Sequence, residues 1–271
     1  MSRRRLDSEL VRRGLARSRD QAVELIDAGR VLVGGRPAGK AATQVETGAA
    51  IVVAAPDDDG DPGYVSRGGH KLAGALAAFA GLDPRGRRCL DAGASTGGFT
   101  DVLLRAGAAH VVAVDVGYGQ LAWSLRTDSR VTVVERCNVK DLTAERVAGP
   151  DGEPPSLAVA DLSFISLKLV LGPLLRSLSP DADLVVLVKP QFEVGRGKVG
   201  ARGVVRDPLL RAAAVRDVAD HAATLGLGVS GVTASPLPGP SGNVEYFLWL
   251  RAGAPPLTEA DLGRAIAEGP T

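Results

Sequence analysis

Four charged residues stand where apolar runs meet polar ones: Lys71 in SRGGHKL, Asp161 in VADLSFIS, Lys189 in VVLVKPQFE and Glu245 in NVEYFLWL. Asp161 and Lys189 close runs that read as strands, and in an open α/β sheet ligands bind at the carboxyl ends of strands. NVEYFLWL follows a hairpin-like turn, PLPGPSGN, and should therefore run antiparallel to its neighbours. Its beginning, with Glu245, then reaches the same edge. Lys71 opens the helix ahead of the first strand of that sheet. A lone charge at a strand end is an ordinary solvated boundary. Two lysines flanked by two carboxylates on one edge instead suit an alcohol nucleophile such as a ribose hydroxyl. Lys189 could take its proton or steady the developing alkoxide; acting as a base requires a neutral amine, which burial or nearby Lys71 would favour. Asp161 and Glu245 would orient the lysines and keep the cluster near neutral.

A second feature is the turn in LDAGASTGGFTDVLL, residues 90–104. An apolar strand ends at Asp91, small residues follow, and a helix starts near Gly98. Small residues admit a ligand close to the backbone, and a helix N-terminus offers free N–H groups. The next strand ends at Asp115, where a carboxylate can accept hydrogen bonds from both ribose hydroxyls of an adenosine. The dinucleotide pattern G-x-G-x-x-G is absent, because Ser95 stands where its second glycine belongs. An acid just before the first glycine, with Ser two positions later, is the form seen in S-adenosylmethionine methyltransferases. The candidate cofactor contacts are Asp91, Gly93, Ala94, Ser95, Gly97, Phe99, Asp115, Val116, Asn138 and Asp161. The third strand is expected to end in Cys137-Asn138-Val139, where an adenine edge would fall and Asn138 could hydrogen-bond it; an Asn that only stops the strand is the alternative. A purely structural tight turn is the alternative for the whole motif.

These residues need a scaffold, and residues 64–252 supply one. RCLDAG, HVVAVDV, VTVVERC, SLAVADL, DLVVLVKP, LGVSGVTAS and NVEYFLWLRA read as seven strands alternating with helical patterns. The fold class expected is α/β: a Rossmann-like S-adenosylmethionine methyltransferase fold with a mostly parallel seven-stranded sheet and an antiparallel last strand. Before it, a small α+β domain is expected. Leu6, Leu10 and Val11 share one helix face that stops at Gly14. Ser18 caps a second helix carrying Ala22, Leu25 and Ile26, which stops at Gly29. RVLVGGRPA reads as strand, Gly-Gly turn and strand, and AAIVVAA as a closing strand. The acidic APDDDGDPG, residues 55–63, reads as a linker. The boundaries are 1–60 for an RNA-binding domain, 61–66 for a linker, 67–252 for the large domain and 253–271 for a tail with one short amphipathic helix.

The 271 residues carry a net charge of only +1, yet residues 1–40 hold ten Lys or Arg against five acids. Such asymmetry suits a basic head for nucleic acid, and equally a solvated helix face. Arg4, Arg5, Arg17 and Arg19 are the head's candidate RNA contacts, joined by Arg67. A Gly- and Arg-rich loop, residues 195–208, adds Arg196, Lys198, Arg202 and Arg206 as a phosphate-gripping lid or an ordinary exposed loop. Cys89 and Cys137 sit in apolar runs without paired spacing, as reduced cytosolic thiols do, and suggest no disulfide or metal site. MSRRRLDSEL has no apolar stretch behind its arginines, so no signal peptide is expected. No uninterrupted apolar run is long enough for a membrane span.

Taken in order, VSRGGHKL, LDAGASTGGFTD, ADLSFISL, LVKPQFE, GVVRDP and GNVEYFLWL resemble the signature segments of the TlyA-type rRNA methyltransferases, once named haemolysins. RLDSELVRRGLARSRDQAVELIDAGRVLVGG is similar to the RNA-binding domain first named from small-subunit ribosomal protein S-four. The resemblance covers nearly the whole chain. It implies an FtsJ-like enzyme that uses S-adenosylmethionine to methylate a cytidine ribose 2′-hydroxyl in small- and large-subunit rRNA. It implies catalytic roles for Lys71, Asp161, Lys189 and Glu245, and an influence on sensitivity to ribosome-targeting peptide antibiotics. Expected with it are ribosomal RNA or subunits as partner, no DNA, no membrane, no metal, a cytoplasmic place and a monomer. Some relatives carry Trp between the domains where this chain has Tyr64 before Val65-Ser66-Arg67. Three rival readings are a dinucleotide reductase, a non-catalytic RNA-binding assembly factor and a membrane-lytic protein. Ser95, the intact set of four charges and the lack of an apolar span or strongly amphipathic basic helix count against them in turn.

Overall fold

In this computed structural model the described residues are 3–16, 18–27, 29–53, 63–149, 152–200, 203–239 and 241–270. The chain divides into two units, Met1–Gly63 and Tyr64–Thr271. Of the acidic stretch 55–63 all but Gly63 lies outside the described residues, and of the expected linker 61–66 the structure describes residues 63–66.

In the first unit the elements are β1 (Arg3–Arg5), α1 (Leu6–Arg12), α2 (Arg19–Asp27), β2 (Val31–Val33), β3 (Arg36–Pro37), β4 (Gln44–Glu46) and β5 (Ile51–Val53). Leu6 and Leu10 of α1 and Ala22 and Ile26 of α2 are buried together with Val31, Val45 and Ile51. Ser18 Oγ accepts from Gln21 N at 3.1 Å, the expected cap of α2. Between β2 and β3, Gly34 and Gly35 both adopt positive φ, 58° and 78°, as a tight hairpin requires. Two strands escape sequence reading, β1 and β4, which pair antiparallel from Arg3↔Glu46 to Arg5↔Gln44. All three residues of β1 are exposed, so no apolar alternation marks it.

The second unit contains the seven apolar runs as seven strands. They are β6 (Arg88–Ala92), β7 (His110–Val114), β8 (Val131–Val134), β9 (Leu157–Ala160), β10 (Asp183–Val188), β11 (Leu227–Ala234) and β12 (Tyr246–Ala252). Their spatial order is β11-β12-β10-β9-β6-β7-β8. The strands from β6 to β10 pair in parallel, and β12 runs antiparallel to both β10 and β11. That is the expected mostly parallel sheet with an antiparallel last strand. The strand order reverses between β6 and β9, which is where such sheets bind ligands.

Both faces of the sheet are covered. On one face Leu90, Val112, Ala158, Val186 and Leu248 join a single apolar cluster. On the other, Cys89, Val111, Val159, Val185 and Trp249 do so. The period-two alternation explains why every residue of β9 and β10 is buried. Helix α3 (Gly68–Ala78) precedes the first strand, and α4 (Gly98–Arg105), α5 (Trp123–Arg126), α6 (Ala144–Val147), α7 (Leu171–Arg176), α8 (Pro190–Glu193) and α9 (Pro208–Thr224) lie in the connections between strands. The final helix, α10 (Glu259–Ala267), buries Leu262 and Ala265 in the same apolar cluster as β11 and β12. Residues 253–271 thus contain part of the core, because an amphipathic stripe beside a sheet edge is buried against it. Among the described residues no helix is long and apolar enough to cross a membrane.

Candidate active site

Register places the four singled-out charges. Val188 pairs with Tyr246, so Lys189 and Glu245 stand one step beyond the last rungs of two adjacent strands. Asp161 follows Ala160, which pairs with Val186 on the other side of β10. The carboxyl ends of β9 and β10 and the start of β12 therefore share one edge. There the charges form two ion pairs. Lys189 Nζ lies 2.5 Å from Asp161 Oδ1, and Lys71 Nζ, reaching in from α3, lies 2.6 Å from Glu245 Oε2. Lys71, Lys189 and Glu245 are 7%, 8% and 1% exposed, which no solvated strand boundary would be.

Lys189 Nζ also donates to Ser163 Oγ at 2.9 Å, a contact that sequence reading missed. Ser163 belongs to the loop after β9, as does Phe164, whose φ of 64° is left-handed and whose side chain is 91% exposed. Its ring leans on Phe192 of α8, 5.2 Å between centroids. Glu193, also missed, ends α8 and is buried beneath this loop. The repeated small polar residues of DLSFIS were the available signal, since such residues mark a loop whose side chains bond locally.

The turn after β6 lies next to this edge. Asp91 is fully buried; its Oδ2 accepts from Thr100 Oγ1 at 2.7 Å, and its Oδ1 has no hydrogen-bond partner among the described residues. Burial pushes this carboxyl up to about 7, and the negative charges of Asp161 and Asp115 add to the effect. Asp115 ends β7 with both oxygens held by the backbone, Oδ2 by Ser95 N at 2.8 Å and Oδ1 by Gly117 N at 2.6 Å. Ala94, Ser95, Asp115, Gln120 and Leu121 line a small cleft there. Gly93, at φ 87°, faces protein: a Cβ on it would come within 2.5 Å of the Asp161 carbonyl oxygen. Its smallness thus lets β6 and β9 approach each other.

Other candidates separate from the cleft. Gly97 is the residue before α4, with φ 100°. Phe99 is buried, its ring 6.1 Å from Phe247, in the core rather than toward a ligand. Val116 is 70% exposed beyond Asp115. Asn138 is exposed, and its Oδ1 accepts from Lys140 N at 3.1 Å, capping the short 3-10 turn Val139–Asp141. The third strand ends earlier than expected, at Val134, so Asn138 caps this turn and does not end the strand.

Of the basic candidates, Arg4 is exposed on β1, whereas Arg5 and Arg19 both clamp Asp7. Asp7 is buried at 2%, and the Arg5 guanidinium holds its carboxyl far below the usual range. Likewise Arg12 and Arg13 hold the buried Glu9 at about 2. Four of the ten basic residues of the head are therefore committed to two buried acids. Arg67 NH2 donates to the Pro238 carbonyl at 3.3 Å. Lys198 and Arg206 are exposed; Arg196 opens a short 3-10 turn, Arg196–Lys198. Arg17 and Arg202 lie outside the described residues. The basic loop is anchored at its far end, where Asn243 Oδ1 accepts from Val205 N at 2.9 Å and Nδ2 donates to the Gly203 carbonyl at 2.9 Å.

A sheet of this order with paired charges at its carboxyl edge can be set against known proteins. The FtsJ-like methyltransferase profile matches residues 64–252. The chain belongs to the FtsJ-like methyltransferase family. The S4 domain profile matches residues 4–51 of this methyltransferase, the unit built on α1 and α2. It is 61% identical, over the full length of both chains, to the 16S/23S rRNA (cytidine-2′-O)-methyltransferase TlyA of Mycobacterium tuberculosis. It is 38% identical to Hemolysin A of Brachyspira hyodysenteriae, over 90% of this chain and 98% of that one. A solved structure of a hemolysin candidate from Streptococcus thermophilus superposes with a TM-score of 0.76 at 36% identity, covering 98% of this chain and 95% of that one. The expected family is thus the observed one.

Proposed function

We propose that this methyltransferase transfers a methyl group from S-adenosylmethionine to the ribose 2′-hydroxyl of cytidine in ribosomal RNA of both subunits. The observation that carries this reading is the pair of Lys–carboxylate contacts at the ligand edge of the sheet, Lys71–Glu245 buried and Lys189–Asp161 partly so. The 61% identity to a relative bearing that activity in its name supports the choice of substrate.

The residues present fit the cofactor. A buried carboxylate with one unpaired oxygen calls for a cationic partner, and Asp91 Oδ1 would meet the cofactor's ammonium. Asp115 keeps lone pairs free for the ribose hydroxyls, since each carboxylate oxygen accepts more than one hydrogen bond. When bound, S-adenosylmethionine supplies an electrophilic methyl group. Lys189 would hold the substrate oxygen and steady the charge that grows on it as the hydroxyl proton passes to water. Asp161 fixes the Lys189 amine, and Glu245 fixes Lys71. Positioning of the hydroxyl supplies much of the rate in such displacements. Arg4, Arg67, Lys198 and Arg206 serve as phosphate contacts, which give affinity without reading sequence. The enzyme works as a cytoplasmic monomer.

The test is transfer of labelled methyl to ribosomal subunits that lack the modification, followed by nucleoside analysis. Label in 2′-O-methylcytidine is the expected result. Label in another nucleoside would overturn the substrate, and failure to bind S-adenosylmethionine would overturn the reading as a whole.

A further inference from the structure

The loops after β9 and β10 are cross-linked at three points, only one of which involves the charges already described. At the near point Lys189 meets Asp161 and Ser163. At the middle point Phe164 and Phe192 bring their rings together. At the far point Glu193, 9% exposed, uses both of its oxygens: Oε2 accepts from Ser166 Oγ at 2.6 Å and Oε1 from Leu167 N at 2.8 Å.

The spacing of KPQFE explains the arrangement. Pro190 starts α8 directly after Lys189, because its fixed φ suits a first helical position. One turn later Glu193 faces the segment that begins with Asp161. The intervening Phe164 holds a left-handed φ, which a bulky residue keeps only where its surroundings enforce it. The Glu193 contacts close that segment from its far side. A carboxylate also suits the place: two donors converge on it, and it brings no donor of its own to leave unpaired.

We propose that Glu193 is a positioning residue that latches residues 163–167 to α8 and so keeps Asp161 and Ser163 against the Lys189 amine. The inference rests on the reading of Lys189 and Asp161 as members of the transfer machinery. Glu193 itself acts through Ser166, Leu167 and the loop they belong to.

The full chain tests it, with methyl transfer and hydrogen exchange measured on the same variants. Glu193→Ala is expected to lower kcat about a hundredfold, the scale of a misplaced catalytic group, with KM for S-adenosylmethionine held within about twofold. Glu193→Gln, which can accept from Leu167 N and donate to Ser166 Oγ, should recover kcat to within about tenfold of the wild type. In an Asp161→Asn background, Glu193→Ala should add less than about a twofold loss, because the two residues act on one contact. A merely structural residue would add its full loss in either background, and that result overturns the proposal. Should the alanine variant not fold, Ser166→Ala removes one of the two donors and is expected to lower kcat about tenfold; an unchanged kcat overturns the latch. Hydrogen exchange reads the latch without turnover. Loss of protection at the Leu167 amide in Glu193→Ala, but not in Glu193→Gln, supports it, and equal protection in both overturns it. A wild-type enzyme that transfers no methyl would sink the functional reading while leaving this measurement decisive for the latch.

Discussion

Replacing Asp91 by Asn should move stability and cofactor binding in opposite directions. The wild-type carboxyl is buried, has one unpaired oxygen, and is pushed from 3.8 up to about 7. Between those values the folded state keeps a proton that the unfolded chain has released. Stability therefore falls as pH rises through this window and is level above it. At about 1.4 kcal/mol per pH unit the loss is at most about 4 kcal/mol. Asn cannot ionise, so the variant lacks this loss, although its buried amide leaves a donor unpaired at a cost of about 1–3 kcal/mol. Without cofactor, the variant is thus expected to gain on the wild type as pH goes from about 4 to 7. In a domain of this size a full 4 kcal/mol corresponds to roughly 10 °C in Tm. With S-adenosylmethionine the order reverses: losing a charged partner should weaken binding about tenfold or more. The assay is thermal unfolding of both proteins across that pH range, with and without S-adenosylmethionine, joined to calorimetric titration at pH 8. A stability difference that does not change with pH would refute the buried, uncompensated carboxylate. Unchanged cofactor affinity would refute its role as the ammonium's partner.

Lys189→Ala should abolish transfer in the labelled-methyl assay while leaving calorimetric S-adenosylmethionine binding largely intact; normal turnover would remove Lys189 from the mechanism. Asp115→Ala should weaken S-adenosylmethionine binding and also loosen the turn, since Ser95 N and Gly117 N lose their acceptor; unchanged affinity would move the cofactor site. Removal of residues 1–60 is expected to cost RNA affinity and transfer while the large unit keeps its unfolding transition; full-rate modification of rRNA would deny the head its docking role. Arg12 and Arg13 hold Glu9 down at about 2, so the folded state binds fewer protons than the unfolded chain between about pH 4.5 and 2. The first unit should lose stability as pH falls through that window, seen as amide exchange, and Glu9→Gln should weaken that dependence, leaving the part that Asp7, held low by Arg5, contributes.

Strands that alternate or run continuously apolar were legible from the sequence, and with them the sheet, its antiparallel member and the edge that gathers Lys71, Asp161, Lys189 and Glu245. A strand announces itself by an apolar pattern, continuous in the fully buried β9 and β10 and still readable in β8, whose residues are at most half-buried. The strand Arg3–Arg5 has no buried side chain and exists only through its pairing with Gln44–Glu46, so its residues read as helix-flanking charge. The pairing of the four charges into two couples was equally hidden, because partners 174 positions apart, such as Lys71 and Glu245, meet only through tertiary register. Phe99 shows a different limit. A residue just past the glycine-rich turn sits on a helix, and the helix, not the turn, decides which way its ring points. Arginine counts mislead for a related reason: Asp7 and Glu9 lie on the helix face that packs inward, which pulls the neighbouring guanidinium groups onto them.

The placement of β12 between β10 and β11 has a bearing on how the enzyme comes off the ribosome that makes it. A nascent chain holding everything up to residue 240 has its parallel strands and three of the four charges, yet β10 still presents an unpaired edge. Such edges recruit other strands and invite aggregation. Lys71, meanwhile, waits for a carboxylate made 174 residues later. A chain cut short before β12 should therefore be a sticky fragment rather than a weak enzyme, and release of a working site should coincide with completion of its final strand.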